Sequence, residues 1–329
     1  MAKPASIARR RALAAMTALL AAPSLAQEKK RAVIAVLRAT APMTEKRDSS
    51  SRLVESLRRR GYEAGRNLVV EQRFADARLE RLPALARELV ALRPDAIVVV
   101  GSSAALAVRD TKTAIPTVFF GNFDPVRLGL VAALARPGGS MTGVLIAAQG
   151  TLAAKRLELL RDAVPGAARI GVLAPDDPLF APQLEEVRRA AQRMGVALTV
   201  VEVVRGDYDR AFVSLSAAKV QALFVGGHTF FARDGDRIIA LAAKHRLPAT
   251  YEWPEQAEEG GLMGYGADLD DLYDRVAMLV DKILGGALPA ALPVEQPTKA
   301  ELVVNVRTAK ALGLAVPPTL LQRADRLLE

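Results

Sequence analysis

No cysteine occurs in the 329 residues, and histidine occurs only twice, at His228 and His245. The first absence removes disulfides, thiolate nucleophiles, cysteine-ligated zinc and iron–sulfur clusters. The second leaves little for a histidine metal site or a His-dependent triad. Aromatic residues make up only 5% of the chain, with a single tryptophan. No stretch approaches 18 consecutive apolar residues, so none reads as a membrane-spanning helix. Catalytic signatures are missing as well: there is no Gly-x-Ser-x-Gly elbow, no phosphate loop, no His-Glu-x-x-His and no Gly-x-Gly-x-x-Gly. Gly264-Tyr265-Gly266 lacks the third glycine, and Asp270-Asp271 reads as a pair of helix-surface caps. The chain therefore points away from an enzyme and calls for no metal and no cofactor.

Positive charge is present in excess, with a net +9. Four of the 45 basic residues (Lys3, Arg9, Arg10, Arg11) lie in the first 26, which hold no acidic residue, so the rest carries 41 basic against 36 acidic groups. Arginines there alternate with acidic residues along helical stretches such as 78–93 and 185–193, the mixture of a solvated face. Nucleic acid is not the expected partner. The basic start, the apolar run Ala12–Ala22 and the small residues of Pro23-Ser24-Leu25-Ala26 have the layout of a secretory signal peptide, cleaved near Ala26. An apolar run of about eleven residues is too short to cross about 30 Å of hydrocarbon. The mature protein is expected in the periplasm, soluble and free of a lipid anchor.

Beyond the signal, β-rich apolar runs alternate with amphipathic segments, the pattern of parallel sheets covered by helices. Strands are predicted at Ala32–Leu37, Leu68–Gln72, Ala96–Val100, Thr117–Phe120, Arg169–Ala174, Ala197–Val203, Ala222–Val225 and Ala249–Tyr251. The order repeats. In one copy Val100-Gly101-Ser102 closes a strand and Ile115-Pro116-Thr117 opens the next; in the other, Val225-Gly226-Gly227-His228 and Leu247-Pro248-Ala249 do the same. The expected fold is α/β, with two Rossmann-like lobes joined by a multi-crossing hinge. Glycine-rich segments at 137–143 and 259–266 are candidate crossings. The expected division is a signal peptide over 1–26, an N-terminal lobe over 27–143 plus 264–290, and a C-terminal lobe over 144–263 plus 291–329.

Ligands of open parallel sheets bind at the carboxyl ends of strands, which singles out the loops containing Thr40, Ser102, Ser103, Asn122, Asp124, Phe180, His228, Thr229, Tyr251 and Glu252. Ser102 and Ser103 fit a carboxylate site at a helix start and equally an ordinary N-cap. Asp124 could accept a ligand ammonium, although Asp before Pro is also turn chemistry. The carboxylates at 176 and 177 are either ligands or caps. Phe180, if exposed, could cover a ligand face. His228 is either a cleft group or a buried, hydrogen-bonded imidazole.

Several longer stretches carry a family likeness: Gly61–Leu68, Asp124-Pro125-Val126, Leu134–Gly143, Gly260–Gly266 and Leu292–Thr298, followed by Asn305 and Thr308–Leu314. On these the chain resembles the bacterial ABC transporter substrate-binding proteins of the tryptophan-binding-like group, which have the type I periplasmic-binding fold. The resemblance spans essentially the whole mature chain. It implies capture of a small molecule, with an amino acid or related carboxylate as the expected class, lobe closure, and delivery to an inner-membrane ABC permease with its ATPase. A monomer is the default for a clamp whose lobes must move. The sequence leaves two other roles open: a ligand sensor feeding a receptor, and an exported enzyme.

Overall fold

The computed structural model describes residues 31–41, 49–146, 152–297 and 299–329. The expected signal peptide and its cleavage point lie outside the described residues. The first lobe is built on β1 (Ala32–Arg38), β2 (Leu68–Phe74), β3 (Ala96–Val100), β4 (Thr117–Gly121) and β5 (Met141–Leu145), a parallel sheet in the order β2-β1-β3-β4-β5. Its central strand, Ala-Ile-Val-Val-Val, is buried at every position, as expected when helices cover both faces.

The period-2 alternation of strand side chains divides this sheet into two cores. Ile34, Val36, Val98, Val118, Phe120 and Val144 face α1 (Ser49–Arg58) and the distant α10 (Leu269–Leu284). Ala35, Leu37, Ile97, Val99 and Phe119 face α2 (Leu82–Ala91) and α3 (Ser102–Asp110). Asp274 of α10 receives two bonds of 2.7 Å from the Arg60 guanidinium just beyond α1. That contact with Arg60, assisted by Arg59, holds the Asp274 carboxyl at about 2.

The second sheet repeats the order. β6 (Arg169–Pro175), β7 (Ala197–Val203), β8 (Ala222–Val225), β9 (Ala249–Tyr251) and β10 (Met263–Gly266) run parallel as β7-β6-β8-β9-β10. β11 (Glu301–Asn305) then adds antiparallel to β10, and β12 (Arg326–Leu328) closes the edge. One face packs on α4 (Leu152–Ala163) and α5 (Ala181–Met194), the other on α6 (Tyr208–Ala217) and α8 (Gly235–Lys244). Leu302, Val304 and Met263 gather the terminal helices α11 (Val306–Leu312) and α12 (Pro318–Leu321) into a smaller cluster.

The chain passes between the sheets after β5, after β10 and before β11. Two glycine-rich segments expected as crossings form strands instead. Met141–Leu145 is the edge of the first sheet, and Met263–Gly266 pairs wholly within the second. The stretch after α10 stays with the first lobe for longer than the expected boundary at 291. Glu295 exchanges backbone bonds with Gly143 and Leu145 (2.8 and 2.9 Å), and Thr142 Oγ1 donates to the Leu292 carbonyl at 2.8 Å.

Candidate functional site

Because both sheets present the carboxyl ends of their strands to one another, their loops enclose a single cleft of about 970 Å³, counting its open mouth. On the first lobe it is walled by the ends of β3 and β4. Gly101 has φ +93°, a conformation that favours glycine, and it turns β3 directly into α3 with Ser102 in the lining. Phe120 and Gly121 end β4, Asn122 and Phe123 follow it, and Tyr273 of α10 stacks at a tilt on Phe120 with ring centroids 4.8 Å apart. Arg52 of α1 reaches the same cavity while also pairing with Asp270.

The second lobe contributes Gly227 and His228 ahead of α7 (Thr229–Arg233), Thr229 at its start, and Glu252, Trp253, Glu255 and Gln256 around α9 (Glu255–Glu258). Gly227 is held by an amide pair: its N–H donates to Gln183 Oε1 at 2.7 Å, and Gln183 Nε2 donates to its carbonyl at 3.3 Å. Behind Gln183 lies Arg156, 1% exposed, donating to the Val225 carbonyl (3.2 Å) and to Gln183 (3.4 Å) over the Phe224 ring. Burial pulls the Arg156 pKa below its ordinary value, against the attraction of Glu252 and Glu186. A cation placed so deep, with these partners, fixes the loop that carries Gly227 and His228.

The two lobes touch. Asn122 Nδ2 donates to Glu252 Oε1 across the cleft at 3.0 Å, and Ser103 Oγ donates to Asp177 Oδ2 at 3.4 Å. Phe230 packs against the cores of both lobes. Trp253 follows a second-lobe strand but is buried in the first-lobe cluster with Tyr273 and Ala267. The described state is therefore a closed one.

His228 is fully engaged. Its Nδ1 accepts the Phe230 N–H at 3.3 Å, so the proton sits on Nε2, which donates to Asp177 Oδ2 at 3.1 Å. Burial opposes ionisation of Asp177. Bonds from His228, the Leu179 amide and Ser103 outweigh it and hold the carboxyl below its usual range. Glu255 is the opposite case: burial outweighs the backbone amides of Glu255 and Leu269 and the nearby Arg52 cation, and pushes it up to about 7.

Of the residues singled out in the sequence, Ser102, Asn122, His228, Thr229 and Glu252 meet in the cleft wall. Ser103 turns to Asp177 instead. Thr40 is buried beyond β1, and Tyr251 is 1% exposed in the second-lobe core, where burial raises its phenol pKa. Phe180 is buried against Gly226 rather than facing the cleft. Asp124 spends Oδ1 on the amides of Val126 and Arg127, both at 3.0 Å, so the turn chemistry is what it performs. Asp177 caps the turn into α5 through Leu179. Sequence reasoning missed Arg52 and Tyr273, because covering helices carry no strand-end signal, and it did not single out Glu255 within the strand-end loop that holds Glu252. Trp253 had one: it is the lone tryptophan, two residues past β9. Among the described residues no group of three acidic or histidine side chains is placed to hold a metal ion, and no helix is long and apolar enough to cross a membrane.

Residues 33–328 match the ABC transporter substrate binding protein family. The chain belongs to that family. A tyrosine-binding protein of Clostridioides difficile is 22% identical over 262 residues, spanning 79% of this chain and 75% of that one. Among solved structures, a conserved domain protein from Vibrio cholerae superposes with a TM-score of 0.81 at 25% identity, over 91% of this chain and 100% of its own. An ABC domain from Streptococcus pneumonia in complex with L-Trp does so at 0.78 and 22% identity, over 91% and 100%. This substrate-binding protein thus has the two-lobed fold of a type I periplasmic binding protein and the family's role of holding a small molecule for a transport system.

Proposed function

We propose that this substrate-binding protein captures an amino acid with an apolar side chain in the periplasm and delivers it to an ABC importer, without chemical turnover. The observation that carries the proposal is the closed cleft itself. Aromatic walls from Phe120, Tyr273 and Trp253 surround a few polar groups, and bridges from Asn122 and Ser103 join the lobes over it. Such a cavity suits a ligand with an apolar body and a polar head. The amide-rich start of α3 at Ser102 suits its carboxylate. The tyrosine-binding and L-Trp-bound relatives have ligands of that class. A capture role is further supported by Ser103 and His228 both binding Asp177 rather than each other, which leaves neither activated as in a hydrolytic triad.

The test is a melting-shift panel on the mature chain, unfolded and refolded to remove carried ligand. A ligand at 100 times its dissociation constant stabilises the folded clamp by about 2.7 kcal/mol. A shift with leucine, phenylalanine, tyrosine or tryptophan is the expected result. Shifts confined to sugars or nucleosides would refute the amino-acid assignment, and turnover of any bound compound would refute the capture role.

A further inference from the structure

Most polar groups of the cleft are already spoken for. Glu252 accepts from Asn122, Gln256 Oε1 accepts the Trp253 N–H at 3.3 Å, both nitrogens of His228 are bonded, and Glu259 has a partner of its own. Glu255 is different. Its Oε2 is shut off from solvent and has no hydrogen-bond partner, although the residue lines the cavity beside Leu269, Tyr273 and Trp253. The charged groups around it are Arg52 on α1 and Asp268 ahead of α10, with Glu252, Glu259 and His228 elsewhere in the lining. Arg52 already shares its guanidinium with Asp270. A buried carboxylate oxygen without a donor is costly, and here it belongs to a side chain that lines the cleft.

The chemistry of what would repair it is narrow. A ligand carboxylate is repelled by Glu255, Glu252 and Glu259 together. A hydroxyl brings one donor and no charge. An ammonium brings three donors and the opposite charge, and it forms the stronger, charge-assisted bond. We infer that Glu255 is the receptor for a ligand ammonium group, so that the cleft selects amine-bearing ligands with an apolar body. The inference rests on the capture role proposed above and deepens it. It moves the ammonium contact from Asp124, whose Oδ1 caps its own turn, to the wall formed by α9 and α10.

The experiment compares the refolded chain with Glu255→Gln, which keeps size and shape and removes the charge. Calorimetry uses L-phenylalanine, L-tyrosine and L-tryptophan, each beside its des-amino acid and its decarboxylated amine. In the native chain, removing the amine is expected to weaken binding by roughly 10- to 100-fold, the worth of one charge-assisted bond. Glu255→Gln is expected to cost about the same factor for the amine-bearing probes and to leave the des-amino acids unchanged. A purely structural role would weaken all probes alike, so the split between the two sets is the decisive readout, with circular dichroism checking that the variant folds. Des-amino acids binding as tightly as amino acids, or an unaltered Glu255→Gln, overturns the assignment of Glu255 and leaves amino-acid capture standing. Binding of amines alone keeps Glu255 and overturns amino-acid capture. No binding of any amine-bearing probe overturns both.

Discussion

Replacing Asn122 by aspartate puts a second carboxylate 3.0 Å from Glu252 in the closed state, and the cost can be worked out. Losing the donor removes about 1 kcal/mol of hydrogen bonding. Two carboxylates at that distance repel by about 1 kcal/mol in water and about 5 kcal/mol at an effective dielectric of 20. Asn122 is exposed while Glu252 is buried, so the lower part of that range applies, and the sum is about 2–3 kcal/mol. Because the bridge exists only when the lobes meet, the whole penalty falls on the closed state. Apparent affinity for the captured ligand should drop roughly 30- to 150-fold. Asn122→Ala, which loses the bond without adding charge, should drop by about tenfold or less. Calorimetric titrations at low and high salt separate the two, since added salt screens the repulsion and brings the aspartate variant toward the alanine one. If the two variants bind alike at low salt, the bridge is not an electrostatic latch and the reasoning fails.

Three further outcomes can be measured on stability and binding. Glu255, raised to about 7 from 4.5 by burial, binds more protons in the folded chain than in the unfolded one between those values. Stability should therefore fall as pH rises through that window, and Glu255→Gln should flatten the denaturation profile and gain up to about 3 kcal/mol at pH 8; a profile of unchanged shape contradicts this. Tyr208, 2% exposed, donates to Asp234 Oδ2 at 2.6 Å, so Tyr208→Phe should cost about 1.5–3 kcal/mol in urea unfolding, and a silent substitution would show that the bond contributes nothing net. A Cβ on Gly227 would stand 2.1 Å from Glu252 Oε1. Gly227→Ala should therefore swing that carboxylate out of reach of Asn122 and weaken ligand binding with only a small drop in melting temperature, whereas retained affinity would show that Glu252 has room to adjust.

The strands were legible as short apolar runs, the inner ones covered on both sides. Ala96–Val100, Ala197–Val203, Ala222–Val225 and Ala249–Tyr251 appear with the predicted bounds. Glycine misled twice. At Gly143 and Gly264 an added Cβ would meet the carbonyl oxygens of Phe119 and Trp253 at 2.3 and 2.2 Å. These glycines serve close packing at strands, and in sequence that is indistinguishable from a flexible crossing. The strand-end rule found the loops that form the cleft but not which side chains enter it. Phe180 and Tyr251 are turned into the core by the packing of neighbouring helices, and Asp124 is held to the amides of its own turn. Arg52, Glu255 and Tyr273 come to the cleft from elements whose sequence positions are remote from one another.

Trp253 has an implication for how the molecule moves. Its ring belongs to the second lobe by chain connection and to the first by packing, and it is 6% exposed. Pulling a buried aromatic side chain of that size into water costs about 2–3 kcal/mol, a toll on every cycle if the indole sat where the jaws part. The least costly rotation keeps the indole in its first-lobe pocket and swings the lobes about it. As the chain's sole tryptophan, it is also a native fluorophore at that pivot, and its emission reports ligand arrival beside it without an introduced label.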